Sequence, residues 1–226
     1  MKTKHPSFNT TRWRQGYQRG QRSWGRDNRS TMLARLRILG VPRLAPEARI
    51  LDFGCGDGMV LRCLAELGFR RLVGLEPDYL LLDCDSPGLK LAGRGPGLPF
   101  KDQSFDAVIV QSVLHHLPHA EALGGTVADF ARILRPAGRL FYCEPDHTPL
   151  RRLLTPLLLS PLARLSRFAR QKRLMVLEEQ ETLERWLELE RRFPRDFLVP
   201  AGFRVEMVRR GPLKTFVRAV KVPRPA

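Results

Sequence analysis

Between Ala48 and Cys143, short apolar runs alternate with stretches of helical period. Arg49–Phe53, Arg71–Leu75, Phe105–Gln111 and Arg139–Cys143 read as strands, nearly continuous in their apolar character, and Leu89–Ala92 as a weaker one between them. A helix is predicted at 59–67, stopped by Gly68, and another at 122–134, ended by Pro136-Ala137-Gly138. Pro77 and Asp78 open a short helical stretch running to about Asp83. Apolar strands separated by helices are the pattern of a parallel sheet covered on both faces, the doubly wound α/β class. A further helix is predicted at 31–39, where Gly40 and then Pro42 supply a stop.

The alternation is interrupted at 148–192. Leu150 to Met175 is rich in Leu and Arg and is broken at Pro156 and Pro161, and Val176–Arg192 is acidic with a helical pattern. Phe203–Arg209 and Leu213–Val220 then read as two closing strands around Gly211-Pro212, an antiparallel hairpin at a sheet edge. The expected organisation is a basic arm and lead-in helix over 1–45, followed by one domain over 46–221 that carries the 148–192 segment as a helical insert or lid.

At 226 residues and 43% hydrophobic content the chain suits one sizeable core with an appendage. No run approaches the roughly 18 apolar residues of a membrane span, and Met1–Ser30 is polar and basic without the apolar centre of a signal peptide. Cys55, Cys63, Cys84 and Cys143 show no metal-like spacing and are expected to be reduced thiols, so a cytoplasmic location is expected and no metal site is predicted.

Charge changes the picture more than composition does. The net charge of +16 is uneven: residues 1–46 carry eleven basic residues and one acid, 47–145 ten and thirteen, and 146–226 eighteen and nine. The centre is mildly acidic and the basic excess lies on the flanks, which suits an anionic partner or simply a solvated surface.

The chemistry concentrates where the first strand ends. Ile50 to Gly58 reads Ile-Leu-Asp-Phe-Gly-Cys-Gly-Asp-Gly, an apolar strand feeding a glycine turn through which backbone approaches a small ligand closely. Gly54, Gly56 and Gly58 make G-x-G-x-G and not the G-x-G-x-x-G of dinucleotide sites. Val73-Gly74-Leu75-Glu76-Pro77-Asp78 places an acid about 20 residues beyond the glycines, where one carboxylate accepts from both hydroxyls of a ribose diol. Asp78 reads as a helix N-terminal residue.

Four further segments arrive in order: Leu98-Pro99-Phe100, Ser104-Phe105-Asp106, Arg132-Ile133-Leu134-Arg135-Pro136-Ala137-Gly138, and Ala201-Gly202-Phe203. With the glycine turn, this set resembles the class I S-adenosylmethionine-dependent methyltransferases of type 11. The resemblance covers about 46–145 and 198–221. It implies a doubly wound, mostly parallel seven-stranded sheet of Rossmann-like form, with an antiparallel C-terminal hairpin and a helical insert after strand five. It also implies S-adenosyl-L-methionine as cofactor, held by Asp52, Phe53, Gly54, Cys55, Gly56, Glu76, Pro77 and Gln111. Asp52 would take the ligand's ammonium, Glu76 its ribose, and Gln111 would lie near the methionine moiety. Two positions depart from the family pattern: Ala137 stands at a usual glycine, and Gly93-Arg94 stands where the family places Gly-Asp to read the adenine amine. Arginine only donates and cannot accept from an amine.

His115 and His116 follow strand four and are the candidate catalytic residues, as a general base beside the transferred methyl. The competing reading gives the Val113-Leu114-His115-His116-Leu117 segment to packing and loop shape. Transfer from a sulfonium is an in-line displacement served by positioning, so no strong base is required. Three acceptor readings stand. The first is a small-molecule or lipid-like acceptor, with the insert as substrate cover. Its basic residues (Arg151, Arg152, Arg164, Arg167, Arg170, Lys172, Arg173) would make peripheral contact with an anionic membrane at the inner surface. The second is RNA, tracked by Arg12, Arg14, Arg19, Arg22 and Arg26 with Trp13, Tyr17 and Trp24 interleaved. The third is a non-catalytic binding or regulatory protein on this scaffold, motivated by Arg94.

Overall fold

The computed structural model describes residues 29–82, 85–161 and 167–222. The predicted arm, with its arginines and aromatic residues before 29, lies outside the described residues, as does the end of the stretch predicted to reach Asp83. Helix α1 (29–39) stops at Gly40, whose φ of 84° is left-handed. The alternating core follows as β1 (Arg49–Phe53), α2 (Met59–Glu66), β2 (Arg71–Glu76), β3 (Leu89–Ala92), β4 (Phe105–Gln111), α3 (Ala120–Ile133) and β5 (Leu134–Pro145). The insert is α4 (Pro149–Leu159) and α5 (Arg167–Leu189), and the hairpin is β6 (Phe203–Arg210) and β7 (Lys214–Lys221).

The seven strands form one sheet in the order β3-β2-β1-β4-β5-β7-β6. β1 lies between β2 and β4, parallel to both, and β7 runs antiparallel to both β5 and β6. Alternation along each strand sends side chains to two cores. Leu51 and Phe53 of β1 with Val108 and Val110 of β4 meet Val127 and Phe130 of α3 and Trp186 of α5. Ile50, Ala107 and Ile109 meet Leu36 and Leu39 of α1 and Leu61 and Leu64 of α2. Both faces are therefore covered, as the apolar strands require. The order reverses at β1–β4, so the carboxyl ends of β1, β2 and β4 open onto a common crevice where doubly wound folds bind ligands.

The fold matches the predicted class, with four local differences. β5 begins at Leu134, five residues before the predicted Arg139, because Leu134 pairs with Phe105 and a register shift lets Ala107 pair with Arg139. Ala137 adopts φ 61° within this strand, the conformation for which the family pattern uses glycine. α3 starts at Ala120 because His119 Nδ1 caps it, accepting from Ala122 N at 3.1 Å. Pro156 lies inside α4, and α5 crosses the predicted boundary at Val176 as one helix of 23 residues.

Candidate active site

The turn after β1 is held by β2. Gly54 N and Cys55 N both donate to the Leu75 carbonyl, at 2.8 and 3.0 Å. Gly56 N donates to Glu76 Oε2 at 3.0 Å, and Asp78 N donates to Glu76 Oε1 at 3.1 Å. Gly54, Gly56 and Gly58 have φ of 75°, 51° and 78°. A Cβ on Gly54 would stand 2.4 Å from Val113 Cγ2, so the glycine lets the chain after β4 approach the turn. α2 then begins at Met59 with Gly58 as its N-cap.

Asp52 is 1% exposed, and its Oδ2 has no hydrogen-bond partner. Burial, with the charges of Glu76 and Asp57 added, pushes its carboxyl well above the usual carboxylate range. Burial also raises the Glu76 carboxyl, although the Asp78 and Gly56 amides oppose that shift. Gln111, at the end of β4, has a buried side-chain amide with neither Nε2 nor Oε1 hydrogen-bonded. Buried polar atoms are nearly always paired, so these orphans at adjacent strand ends fit a polar, cationic ligand. An amino-acid tail with a nearby sulfonium has that chemistry, and the residues present fit S-adenosylmethionine.

The other predicted cofactor residues divide by what they offer. Phe53 packs edge-on against Phe130, with ring centroids 5.0 Å apart, so its ring belongs to the core. Cys55 is a buried thiol in no disulfide, and it fills the space over Gly74. Pro77 is exposed, and Asp78 caps the 3₁₀ turn Tyr79–Leu81 by accepting from Leu80 N, the helix N-terminal role expected of it. Arg94 is exposed beyond β3.

His115 and His116 lie side by side, ring centroids 4.0 Å apart, in the 3₁₀ turn Leu114–His116. His115 Nδ1 contacts Glu144 Oε2 at 2.7 Å, while Glu144 Oε1 accepts from Val113 N at 2.7 Å and Leu114 N at 2.9 Å. Burial alone would lower the His115 pKa, but the Glu144 and Glu179 carboxylates outweigh it and raise it to about 9. His116 is driven the other way, to about 3, by burial and the adjacent His115 charge. As placed, neither imidazole titrates near neutrality, the range in which a general base works best. The structure thus brings the two histidines to the end of β4 as a held pair.

Several motif residues turn out to secure the frame. Arg132 donates to the Leu98 and Phe100 carbonyls at 2.8 and 2.6 Å and to Asp129 and Asp102, while Asp129 Oδ2 accepts from the Gly97 and Leu98 amides. Leu98-Pro99-Phe100 is thereby stapled to α3. Asp106 likewise accepts from Arg49 N at 2.8 Å and from Arg135 at 2.7 Å, joining β1, β4 and β5. A cavity of about 480 Å³ lined by Arg43, Arg139, Arg204, Glu206 and Arg218 lies away from the glycine turn and contains none of these site residues.

Sequence reasoning missed Glu144 and Glu179. Glu144 ends β5 next to Pro145, a strand-end acid like Asp52 and Glu76, and that position was its available signal. Glu179 gives none, since it lies among the acids of an amphipathic helix. Lys214 of β7 also reaches the site, donating to Ser112 Oγ.

Residues 51–142 match the family model described as "Methyltransferase domain", of type 11. A ubiquinone biosynthesis O-methyltransferase of Xanthomonas oryzae is 32% identical over 120 residues, 45% of this chain and 45% of its own. A sterol 24-C-methyltransferase of Schizosaccharomyces pombe is 31% identical over 105 residues, 42% of this chain and 27% of its own. The chain thus spans less than half the length of these curated relatives. Among solved structures, Burkholderia thailandensis 1,6-didemethyltoxoflavin-N1-methyltransferase, with bound 1,6-didemethyltoxoflavin and S-adenosylhomocysteine, is similar in fold. Its TM-score is 0.58 at 17% identity, covering 94% of this chain and 87% of that one.

Proposed function

We propose that this chain, whose residues 51–142 are a class I S-adenosylmethionine-dependent methyltransferase domain of type 11, transfers a methyl group to a small-molecule or lipid-like acceptor. The observation that carries the acceptor class is the insert. α5 lays Glu179 within 3.9 Å of the histidine pair at the end of β4, so the insert covers the crevice there. α4 presents Leu150, Leu153 and Leu157 as an exposed apolar stripe at helical spacing. Such a cover suits an apolar acceptor. The relatives' names point the same way: ubiquinone biosynthesis and a sterol.

When bound, S-adenosylmethionine supplies a methyl carbon made electrophilic by the sulfonium. The chain's part is binding and orientation. Asp52 would accept from the ammonium and Glu76 from the ribose hydroxyls, while the Gln111 amide would fix the methionine chain. Gly54 and Gly56 let backbone approach without a Cβ. With Arg94 in place of the adenine-reading acid, backbone amides and apolar packing beside β3 would hold the base. Positioning both reactants in line supplies much of the rate.

The test is incubation of the protein with methyl-labelled S-adenosylmethionine and a lysate separated into lipid, RNA and small-molecule fractions. Label in the lipid or small-molecule fraction is expected. Label in RNA would favour the arm-guided reading, and label nowhere the non-catalytic one. For the membrane contact, Arg151 counts for little, since its side chain is spent on the Asp146 and Leu213 carbonyls. The leucine stripe of α4 would make that contact, and flotation with anionic liposomes across a salt series measures it. No described helix is long and apolar enough to cross a membrane.

A further inference from the structure

Three potential ligand groups converge at the end of β4. His115 Nε2 lies 3.8 Å from Glu179 Oε2, and His116 Nε2 lies 3.9 Å from Glu179 Oε1. All three groups offer ligand atoms within 4.8 Å of one another. These separations are too long for hydrogen bonds. Donors about 2.0–2.1 Å from a tetrahedral zinc ion stand roughly 3.3–3.4 Å apart, so the two contacts to Glu179 need to shorten by only about half an ångström to share one ion.

The surroundings are those of a metal site. The other ring nitrogen of His115, Nδ1, is bound by Glu144, whose side chain is fully buried and is itself fixed by two backbone amides. A carboxylate on the far nitrogen fixes ring orientation and presents Nε2 outward, the usual support behind a metal-ligating histidine. The ligands come from two elements, the turn after β4 and helix α5, so a bound ion would also pin the insert over the crevice. Val113, two residues before His115, packs against Gly54, which sets the cluster beside the cofactor turn.

We propose that His115, His116 and Glu179 bind a divalent transition-metal ion of zinc type, and that this ion holds an oxygen of the methyl acceptor. Two imidazoles and one carboxylate suit zinc or a neighbouring first-row ion and leave a coordination position open. The second half of the proposal rests on the methyltransferase reading. It narrows the acceptor to a hydroxyl compound: the metal-bound hydroxyl gives its proton to water, and an oxygen lone pair forms the bond to the methyl carbon. The carbon–sulfur pair stays on sulfur, which leaves as a thioether.

The experiment titrates Zn²⁺, and separately Co²⁺, into the chelator-stripped full chain by calorimetry and absorption. It uses wild type, H116N, E179Q and E144Q, each checked for fold by circular dichroism. One ion per chain is expected, with a cobalt spectrum lacking thiolate charge-transfer bands. H116N and E179Q should weaken binding at least about 100-fold, and E144Q about 10–100-fold. Glu179 is partly exposed, so E179Q decides the matter if H116N does not fold. Absence of binding at 100 µM metal would overturn the proposal, as would binding undiminished in the folded variants or a thiolate cobalt spectrum. S-adenosylmethionine is titrated into the same metal-free samples. Its binding without metal binding would sink the metal site alone, and the converse would sink the methyltransferase reading alone.

Discussion

Replacing Asp52 with Asn separates what the site costs from what it does. The carboxylate is 1% exposed, one oxygen has no partner, and Glu76 and Asp57 add negative charge around it. Its folded pKa is raised, so the native state holds the proton more tightly than the unfolded chain does. Ionised Asp52 therefore destabilises the ligand-free protein at pH values above its folded pKa, and this deficit closes as pH falls toward the unfolded value of about 3.9. An unsatisfied buried group of this kind costs about 1–3 kcal/mol. Asp52→Asn should thus stabilise the ligand-free protein by about that much at pH 8, with the gain shrinking toward pH 4.5. The same change removes the partner of a cationic ligand, so S-adenosylmethionine affinity should fall roughly tenfold or more. Urea denaturation at the two pH values, with calorimetry for the ligand, reads both effects. A variant less stable than wild type by the same amount at both pH values would refute the reasoning, because Asp52 would then be an ordinary satisfied turn residue.

Arg132→Ala should destabilise by about 2–3 kcal/mol in urea, because two charged donor bonds to the Leu98 and Phe100 carbonyls are lost. Arg132→Lys should recover less than half of that, since one ammonium cannot reproduce the guanidinium fork; a wild-type-like alanine variant would contradict the staple. Ala137→Gly relieves a φ of 61° and should stabilise by up to about 1 kcal/mol, visible as a raised melting temperature; a fall would contradict strain there. In metal-free protein, Glu144→Gln should destabilise by about 3 kcal/mol at pH 7. A double-mutant cycle with His115→Gln should show coupling above about 1 kcal/mol, and additive effects would mean the 2.7 Å contact contributes nothing.

How much of this was legible from the sequence depends on range. The apolar strands, the glycine turn, and the placement of Asp52, Glu76 and Gln111 at strand ends follow from local pattern, whereas their gathering at one site followed from the family resemblance. The start of β5 does not, because Leu134 is a strand residue only through its pairing with Phe105, 29 residues away. Pro156 suggested a break, yet α4 had a full turn behind it to absorb the lost amide. Motif residues Asp106 and Arg132 are conspicuous in sequence and serve the frame, whereas Glu144 and Glu179 are inconspicuous and meet His115. Glu179 reaches the histidines only because the insert folds back over β4, a tertiary fact that no local period encodes. The leading stretch before 29, where the RNA reading rests, lies outside the described residues.

The central claim is a cofactor site built from Asp52, the glycine turn and Glu76, and its most direct test is calorimetric titration of S-adenosylmethionine into wild type and Glu76→Ala. The account predicts saturable one-to-one binding to wild type, weakened by about 1–3 kcal/mol in the variant as the ribose partner is lost. No binding to wild type at millimolar ligand, or identical affinity in Glu76→Ala, would contradict it.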